Sequence, residues 1–184
     1  MMMDALIEQV LAEVTACVNQ VLIESLTQAR ALIADSDRIF VAGAGRSGLC
    51  MRALGMRLMH LGKTVFVVGD TITPSIATTD LLILGSGSGQ TPSLLAIAKK
   101  AHGLGTEILL FTTDAASPLA RLADQKVIIP AQSYLNGSSL LSGQPLGSLF
   151  EQSLFILCDT LILGLMPRLN VDAAQMLDRH ANLE

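Results

Sequence analysis

The chain has 184 residues, which is enough for one α/β domain with a full core and short for two domains. Half of the residues (51%) are apolar and only 15% are charged, so folding alone would leave apolar surface exposed and an association of subunits is expected. Twelve basic against sixteen acidic residues, with no run of Lys or Arg, argue against a nucleic-acid partner.

The cysteines and the chain's most apolar segment indicate the compartment. Cys17, Cys50 and Cys158 are widely separated in apolar helical patterns, which is typical of reduced, buried thiols in a cytoplasmic protein. The N-terminal stretch is acidic and lacks the basic region of a secretory signal. Residues 153–166, the most apolar segment, are interrupted by Asp159 and fall short of the ~20 residues of a membrane-spanning helix. We therefore expect a soluble, cytoplasmic protein without a membrane partner.

The periodicity of apolar residues predicts an α/β fold. From about residue 3 to 34 apolar residues recur at helical spacing, which predicts one long N-terminal helix or two joined. Short aliphatic or β-branched segments then alternate with helical stretches, which predicts a parallel sheet covered on both faces. The predicted strands are 38–42, 64–68, 81–85, 107–112 and 126–130, and the predicted helices between them are 47–61, 91–102 and a short one from about Pro118.

The last third of the chain begins with a polar loop and ends in helices. Residues 131–147 are rich in Gly and Ser, and an almost wholly apolar helix is predicted from about 148 to 166. A helix that is apolar on nearly every face is buried on the sheet or between subunits. A short helix from Asp172 and the tail DRHANLE follow. No repeat and no long linker divides the chain, so residues 1–184 are predicted to form a single domain.

The loop after the first predicted strand contains the pattern Gly43-x-Gly45-x-x-Gly48. This spacing fits a dinucleotide-binding turn, and Asp70 falls just past the second strand, near the position of a ribose-binding acid. The pattern fits equally well any turn that lets backbone amides approach a smaller ligand. Arg46 adds a polar donor inside the same loop.

The loop after the third predicted strand, GSGSGQTPS, favours the smaller ligand. Ser86, Ser88 and Thr91 offer three hydroxyls, and the glycines between them allow close backbone approach at a helix N-terminus. Such a nest suits one compact phosphate better than a dinucleotide. The alternative is an ordinary connection in which Thr91 or Ser88 caps the helix that begins at Pro92. The two loops together favour phosphate.

Six segments in chain order resemble the SIS (sugar isomerase) domain family. They are GAGRSG, MRLMHLG, VVGDTITP, GSGSGQT, QPLGSLFEQSLFILCDTLI and RHANLE, and within the family they look most like the 6-phospho-3-hexuloisomerases. The resemblance implies a Rossmann-like three-layer α/β/α sandwich with a five-stranded parallel sheet, a homo-oligomer that is commonly a tetramer, and no nicotinamide or other cofactor. It also implies an aldose/ketose-type isomerase.

The implied reaction interconverts D-arabino-hex-3-ulose 6-phosphate and fructose 6-phosphate through an enediol. A base must take the C2 proton and return one to C3, and hydroxyl protons must move between O2 and O3. A carboxylate can serve as the base, and a histidine is a natural second shuttle near neutral pH. Glu151, near the start of the apolar helix, is the first candidate for the base. The alternative is a purely structural glutamate that is stabilised there by the helix dipole. The family places a glutamate at this position. His180, in the C-terminal tail, is the second candidate. A histidine in a terminal tail can also be a solvated residue without a role, and a catalytic His180 could reach a neighbouring subunit's site.

The remaining assignments concern the substrate and the alternatives. His60 and His102 lie in helical core patterns and are expected to be structural, and no cluster at metal-ligand spacing is present, so no metal is expected. A sugar-phosphate-sensing module, a pentose or heptose phosphate isomerase, and a nucleotide-cofactor enzyme stay open. A hexulose-phosphate synthase would be a functional partner in a ribulose monophosphate pathway. The expected phosphate or sugar ligands are Arg46, Ser47, Ser86, Gly87, Ser88, Gly89 and Thr91.

Overall fold

A single parallel sheet organises the molecule. In the computed structural model, which describes residues 2–131 and 142–183, the strands lie in the order β2-β1-β3-β4-β5 and every neighbouring pair is parallel. The strands are β1 (Arg38–Gly43), β2 (Thr64–Val67), β3 (Leu81–Gly85), β4 (Glu107–Thr112) and β5 (Gln125–Ile128). The helices are α1 (Met3–Val18), α2 (Ile23–Asp35), α3 (Gly45–His60), α4 (Pro92–Leu104), α5 (Ser148–Arg168) and α6 (Ala173–Asp178).

The two faces of the sheet are covered by different helices. All five residues of β3 are buried, and their side chains alternate between two apolar clusters because successive strand residues point to opposite faces. Ile83 belongs to the cluster that contains residues of α1, α2, α3 and α5, whereas Leu82 belongs to the cluster built with α4. The three-layer α/β/α sandwich with a five-stranded parallel sheet, expected from the sequence, is confirmed.

One predicted helical segment is resolved by the structure and another differs from it. The N-terminal segment, predicted as one long helix or two joined, is two helices, α1 and α2, bent by 78° at a turn over residues 19–22. The turn places Val21 in the core at 4% exposure, which a continuous helix would not do. The short helix predicted from Pro118 is a series of turns, in which the Arg121 amide donates to the Ser117 carbonyl. The helix predicted after Asp172 is α6, and the Asp172 side chain caps it.

Helix α5 is longer than the sequence pattern indicated. It has 21 residues and, by length and composition alone, could cross a membrane, which corrects the expectation that this segment is too short. Half of its apolar window is buried inside the fold, where α5 packs on α1, α2 and α3, as the core helix of a soluble protein does. Three large side chains of α5 remain exposed: Phe155, Ile156 and Leu163.

The glycines of the first loop are required by the contact between β1 and α3. A Cβ on Gly48 would lie 2.7 Å from the Gly43 carbonyl oxygen, and a Cβ on Gly43 would lie 2.8 Å from the Gly48 Cα. Gly45, which begins α3, has a φ of +55° that disfavours other residues. Close packing of helix on strand therefore explains the glycine spacing without a dinucleotide.

Replacing Gly48 by alanine should destabilise the fold, because the new methyl group meets rigid backbone atoms rather than a movable side chain. We expect the free energy of unfolding to fall by about 1–3 kcal/mol, as for other overpacked sites. Gly103→Ala in α4 is the matched control, since nothing lies within 4 Å of its Cβ position. Urea unfolding at equal protein concentration measures both variants, and equal stabilities would contradict the packing account.

Candidate active site

A cavity of about 410 Å³ opens at the edge of the sheet where β1 and β3 end. The loops that follow parallel strands are delivered to this edge, so both loops singled out in the sequence reach it. The third wall is residues 146–151, at the start of α5. We call this space the sheet-edge cavity. Seven of the residues proposed from the sequence line it: Arg46, Ser47, Ser86, Gly87, Ser88, Thr91 and Glu151.

Three helices point their N-termini into the sheet-edge cavity. Helix α3 begins at Gly45, α4 follows its N-cap Thr91, and α5 follows its N-cap Gly147, and all three of these residues line the cavity. The first amides of a helix have no partner within the helix, and the N-terminus carries about half a positive charge. Three such ends on one cavity produce a positive potential that suits a phosphate group.

The loop after β3 is held in shape by the neighbouring end of β4. The Gly87 carbonyl accepts hydrogen bonds from the Thr113 amide at 3.1 Å, from the Thr113 hydroxyl at 2.9 Å and from the Thr112 hydroxyl at 3.2 Å. The Ser86 hydroxyl lies 3.0 Å from the Thr91 hydroxyl. These bonds fix the loop before any ligand arrives, so the binding groups are preorganised.

Gly89 has a conformational role. Its amide donates to the Ser86 carbonyl and to the Ser86 hydroxyl, both at 3.2 Å, and Gly89 is absent from the described lining of the sheet-edge cavity. Its φ is +62°, and a Cβ there would lie 2.1 Å from the Ser117 hydroxyl. Ser88 is placed differently, because its oxygen accepts the Gln90 amide at 3.2 Å and its proton can be donated to a ligand.

Glu151 and Arg46 form an ion pair between α5 and α3 at the wall of the cavity. The Glu151 side chain is 16% exposed, whereas that of Arg46 is 62% exposed. The Cys50 thiol donates to the Glu151 carbonyl oxygen at 3.4 Å. Burial and the nearby Glu151 charge raise the pKa of Cys50, so the thiol is neutral near pH 7. Glu151 therefore remains the candidate for proton transfer at this wall, and an exposed guanidinium pairs with it.

His180 lies outside the sheet-edge cavity, in a groove between α3, α5 and α6. Its ring stacks on that of His60, with centroids 5.3 Å apart and an interplanar angle of 21°. His60 is buried, and the Arg179 guanidinium donates to its carbonyl oxygen at 3.0 Å. Within one subunit the structure therefore does not bring His180 to Glu151.

Asp70 belongs to a turn outside the cavity. Its carboxylate pairs with Arg52 at 2.9 Å, and its carbonyl oxygen accepts the Thr73 amide at 3.0 Å. This geometry supports the turn interpretation over a ribose-binding acid. Over residues 2–131 and 142–183, no group of three or more His, Cys, Asp or Glu side chains could hold a metal ion.

Sequence reasoning missed three of the groups that line the cavity. Thr113 follows β4, whose Phe111 pairs with Gly85 at the end of β3, so the sheet register brings it to the same edge. Phe150 lies beneath the second loop, where a Cβ on Gly87 would come within 3.2 Å of its ring. Leu146 also lines the cavity. The rule that ligands bind at the carboxyl ends of strands could have indicated Thr113; no sequence pattern marks the other two.

Residues 32–156, more than half of the chain, match the SIS domain family. The chain belongs to the SIS domain family. The Mycobacterium gastri protein named 3-hexulose-6-phosphate isomerase is 49% identical over 152 residues, which cover 83% of this SIS chain and 76% of the relative. The Bacillus subtilis protein of the same name is 44% identical over 154 residues, which cover 83% of each chain.

A solved SIS structure agrees over nearly the whole length. A hypothetical protein from Methanococcus jannaschii, whose crystal structure infers a molecular function of 3-hexulose-6-phosphate isomerase, superposes with a TM-score of 0.82 at 34% identity. The alignment covers 97% of this SIS chain and 98% of that chain. The shared fold therefore extends to α1, the first part of α2 and α6, which lie outside the matched family segment.

The buried His60 should make folding depend on pH. Burial is the largest cause that lowers the pKa of His60, followed by the charges of Arg57 and His180. The unfolded histidine binds a proton more readily than the folded one, so stability is full above about pH 6.5 and is lost as pH falls below it. We expect the slope attributable to His60 to be at most about 1.4 kcal/mol per pH unit.

The measurement is urea unfolding of the wild type and of His60→Gln at several values between about pH 5 and pH 8. The variant should show a smaller loss of stability at the acidic end. Parallel pH profiles for the two proteins would contradict the assignment of this loss to His60.

Proposed function

We propose that this SIS-domain protein interconverts D-arabino-hex-3-ulose 6-phosphate and fructose 6-phosphate through a 2,3-enediol. Relatives at 49% and 44% identity bear the name of that isomerase. The structural observation that supports the reaction is the position of Glu151, a largely buried carboxylate in the same cavity as three helix N-termini. A phosphate held at the start of α3 and by the loop after β3 leaves the sugar carbons beside a candidate base on α5.

The phosphate is assigned to the wall formed by α3 and the loop after β3. Ser47 at the start of α3 and Ser88 in the loop supply hydroxyl donors, and Gly87 and Ser88 line the same wall and would add backbone amides. Each hydrogen bond to a charged phosphate stabilises binding by about 1.5–3 kcal/mol. Ser86 and Thr91 line the same wall and support it through their mutual hydroxyl contact.

Glu151 is assigned the proton transfers at carbon. In the direction of fructose 6-phosphate, its carboxylate removes the C2 proton to give the 2,3-enediol, and a proton is then delivered to C3. The carbonyl moves from C3 to C2, and no electrons leave the substrate. A positioned general base contributes about 10²- to 10⁴-fold to such a reaction.

Arg46 has a double role in this proposal. Its exposed guanidinium pairs with Glu151 when no substrate is bound. An arriving phosphate or sugar oxygen can attract the guanidinium, because arginine binds such anions through several donors at once. The carboxylate would then be released toward the substrate at the moment when a base is needed.

The reaction is tested by incubating the purified protein with fructose 6-phosphate in deuterated water and recording NMR spectra. Deuterium at C3 is expected, since the enediol exchanges its proton with solvent. A non-catalytic sugar-phosphate sensor would bind without exchange, which would contradict the proposal. A panel of pentose, hexose and heptose phosphates separates the hexulose isomerase from its pentose and heptose counterparts, because only the true substrate turns over rapidly.

Two substitutions should divide catalysis from binding. Glu151→Gln should lower kcat by about 10²-fold or more with little change in KM, since it removes the base and keeps the shape. Ser88→Ala should instead raise KM about tenfold, since it removes one donor to the phosphate. Ser93→Ala, on the exposed first turn of α4, is the matched control. Wild-type kcat in Glu151→Gln would remove that residue as the base.

We also propose that the protein is a homo-oligomer, with a tetramer favoured by the family resemblance. Helices α3 and α5 pack on each other and expose large apolar side chains on their outer faces. A second cavity, lined by Leu49, Cys50 and Phe155, lies on this outer face and shares the Arg46–Glu151 pair with the sheet-edge cavity. A subunit packed there would reach the other side of the pair. The exposed apolar residues are Leu49, Met56, Met59, Phe155, Ile156 and Leu163.

His180 is assigned to a neighbouring subunit's site in this oligomer. It lies in the groove by α6, away from the sheet-edge cavity of its own subunit, so only a second subunit could bring it to Glu151. There it would move protons between the O2 and O3 oxygens of the enediol.

Mixed oligomers test the shared site. Glu151→Gln and His180→Gln should each be inactive alone. When the two variants are unfolded together and refolded, activity should return, because some sites combine Glu151 from one subunit with His180 from another. The same mixture assembled without subunit exchange is the control. Absence of recovery, with mixed oligomers verified by native mass spectrometry, would place both residues in one subunit or exclude His180.

The metabolic setting follows from the substrate. A hexulose-phosphate synthase would supply D-arabino-hex-3-ulose 6-phosphate, in a ribulose monophosphate pathway or in the reverse direction toward pentose phosphates. The cytoplasm is the compartment proposed for this chemistry, in agreement with three buried, reduced cysteines.

A further inference from the structure

Glu13 on α1 accepts four hydrogen bonds, three of them from consecutive residues far along the chain. Its Oε1 accepts the Gln9 side-chain amide at 2.8 Å and the Gly143 backbone amide at 3.1 Å. Its Oε2 accepts the Ser142 hydroxyl at 2.5 Å and the Gln144 side-chain amide at 3.1 Å. One carboxylate thus ties the first helix to the segment that precedes α5.

The chemistry of the contact requires an ionised carboxylate. Each oxygen accepts two donors, which an ionised carboxylate can do and an amide or a protonated acid cannot. The Ser142 hydroxyl, followed by the Gln9 side chain, lowers the pKa of Glu13 to about 2, so the group is ionised at neutral pH. The approach is close as well, since a Cβ on Gly143 would lie 2.2 Å from the Gln9 side-chain nitrogen.

The tied segment runs directly into the wall of the sheet-edge cavity. Leu146 and Gly147 line that cavity, and Leu146 has a φ of +57°, a conformation that leucine adopts only when its surroundings impose it. The Ser148 amide donates to the Pro145 carbonyl at 3.2 Å, and the Glu151 amide donates to the Gly147 carbonyl at 3.0 Å. The first turn of α5 therefore continues, through residues 145–147, from the residues that Glu13 holds.

We propose that Glu13 is a positioning residue, whose carboxylate holds residues 142–144 so that the first turn of α5 presents Glu151 to the substrate. The inference rests on the proposed role of Glu151 as the base. It assigns no contact between Glu13 and the substrate. The phosphate wall, formed by α3 and the loop after β3, makes no contact with Glu13, so Glu13 is expected to act on the chemical step and not on phosphate binding.

The first test compares kcat and KM for Glu13→Ala. A misplaced base lowers kcat, and a displacement near 1 Å can cost up to about 10²-fold, so we expect kcat to fall by roughly 5- to 50-fold. KM should change less than twofold to threefold. Glu13→Gln should be intermediate, because one amide oxygen keeps its two donors while the amino group faces the other two. Glu8→Ala, an exposed acid on the same helix, is the matched control and should equal the wild type.

A double-mutant cycle shows whether Glu13 acts through the tied segment. Gln144→Ala should reproduce part of the loss in kcat, and the Glu13→Ala/Gln144→Ala protein should be no slower than Glu13→Ala alone, because both changes break one contact. Hydrogen exchange should show faster exchange of amides in residues 142–151 in Glu13→Ala, with the strands of the sheet unchanged.

The outcomes separate this inference from the proposed function. If the wild-type protein does not turn over hexulose phosphate, the proposed function is wrong, and Glu13 then has no catalytic residue to position. Active wild type with unchanged kcat in Glu13→Ala, or with strictly additive losses in the double variant, would overturn the role of Glu13 alone. A loss of kcat matched by an equal loss of folded protein would likewise reduce Glu13 to a structural contact.

Discussion

The direction of the strands is the constraint on which the other features depend. In a parallel sheet every loop that follows a strand emerges at the same edge, and every helix that follows such a loop points its N-terminus there. Helices α3 and α4 obey this rule after β1 and β3, and α5 arrives at the same edge from the far end of the chain. The positive ends of three helices therefore meet without a single lysine in the described lining of the cavity.

The phosphate wall and the Glu151 wall of the sheet-edge cavity are supported in different ways. The loop after β3 is fixed to the end of β4 through the Gly87 carbonyl, so the phosphate wall belongs to the sheet itself. The wall that contains Glu151 depends on contacts between elements distant in sequence: α5 on α3, and the Glu13 carboxylate on residues 142–144. In the proposed function, this division places phosphate binding on a loop fixed to the sheet and the candidate base on a separately supported helix.

Local patterns in the sequence were sufficient for the sheet and for most of the cavity. The five apolar segments became strands within two residues of their predicted bounds. Burial on both faces gives the central strands β1, β3 and β4 a continuous apolar run, and the edge strands β2 and β5 are short but still contain aliphatic residues. The two glycine loops were placed correctly at the sheet edge, because each one directly follows a strand whose end was predicted correctly. The pattern over residues 3–34 fitted one long helix or two joined and could not choose between them, because no Pro or Gly marks the turn at which Val21 enters the core.

Contacts between segments that are distant in the chain could not be predicted from the sequence pattern. The amide of Gly89 is used inside its own loop, which a list of glycines cannot reveal. No sequence pattern marks Glu13, because three of its four donors come from residues about 130 positions away and the fourth comes from Gln9, one turn earlier. The residues of 132–141, part of the predicted polar loop, lie outside the described structure.

The central claim is that one phosphate lies between the start of α3 and the loop after β3, with the sugar carbons beside Glu151. The most direct test is a crystal structure of the Glu151→Gln variant with fructose 6-phosphate. The account predicts phosphate oxygens within hydrogen-bond distance of Ser47 and Ser88, and C2 and C3 next to residue 151. A phosphate bound away from both loops, or a sugar turned away from α5, would contradict it.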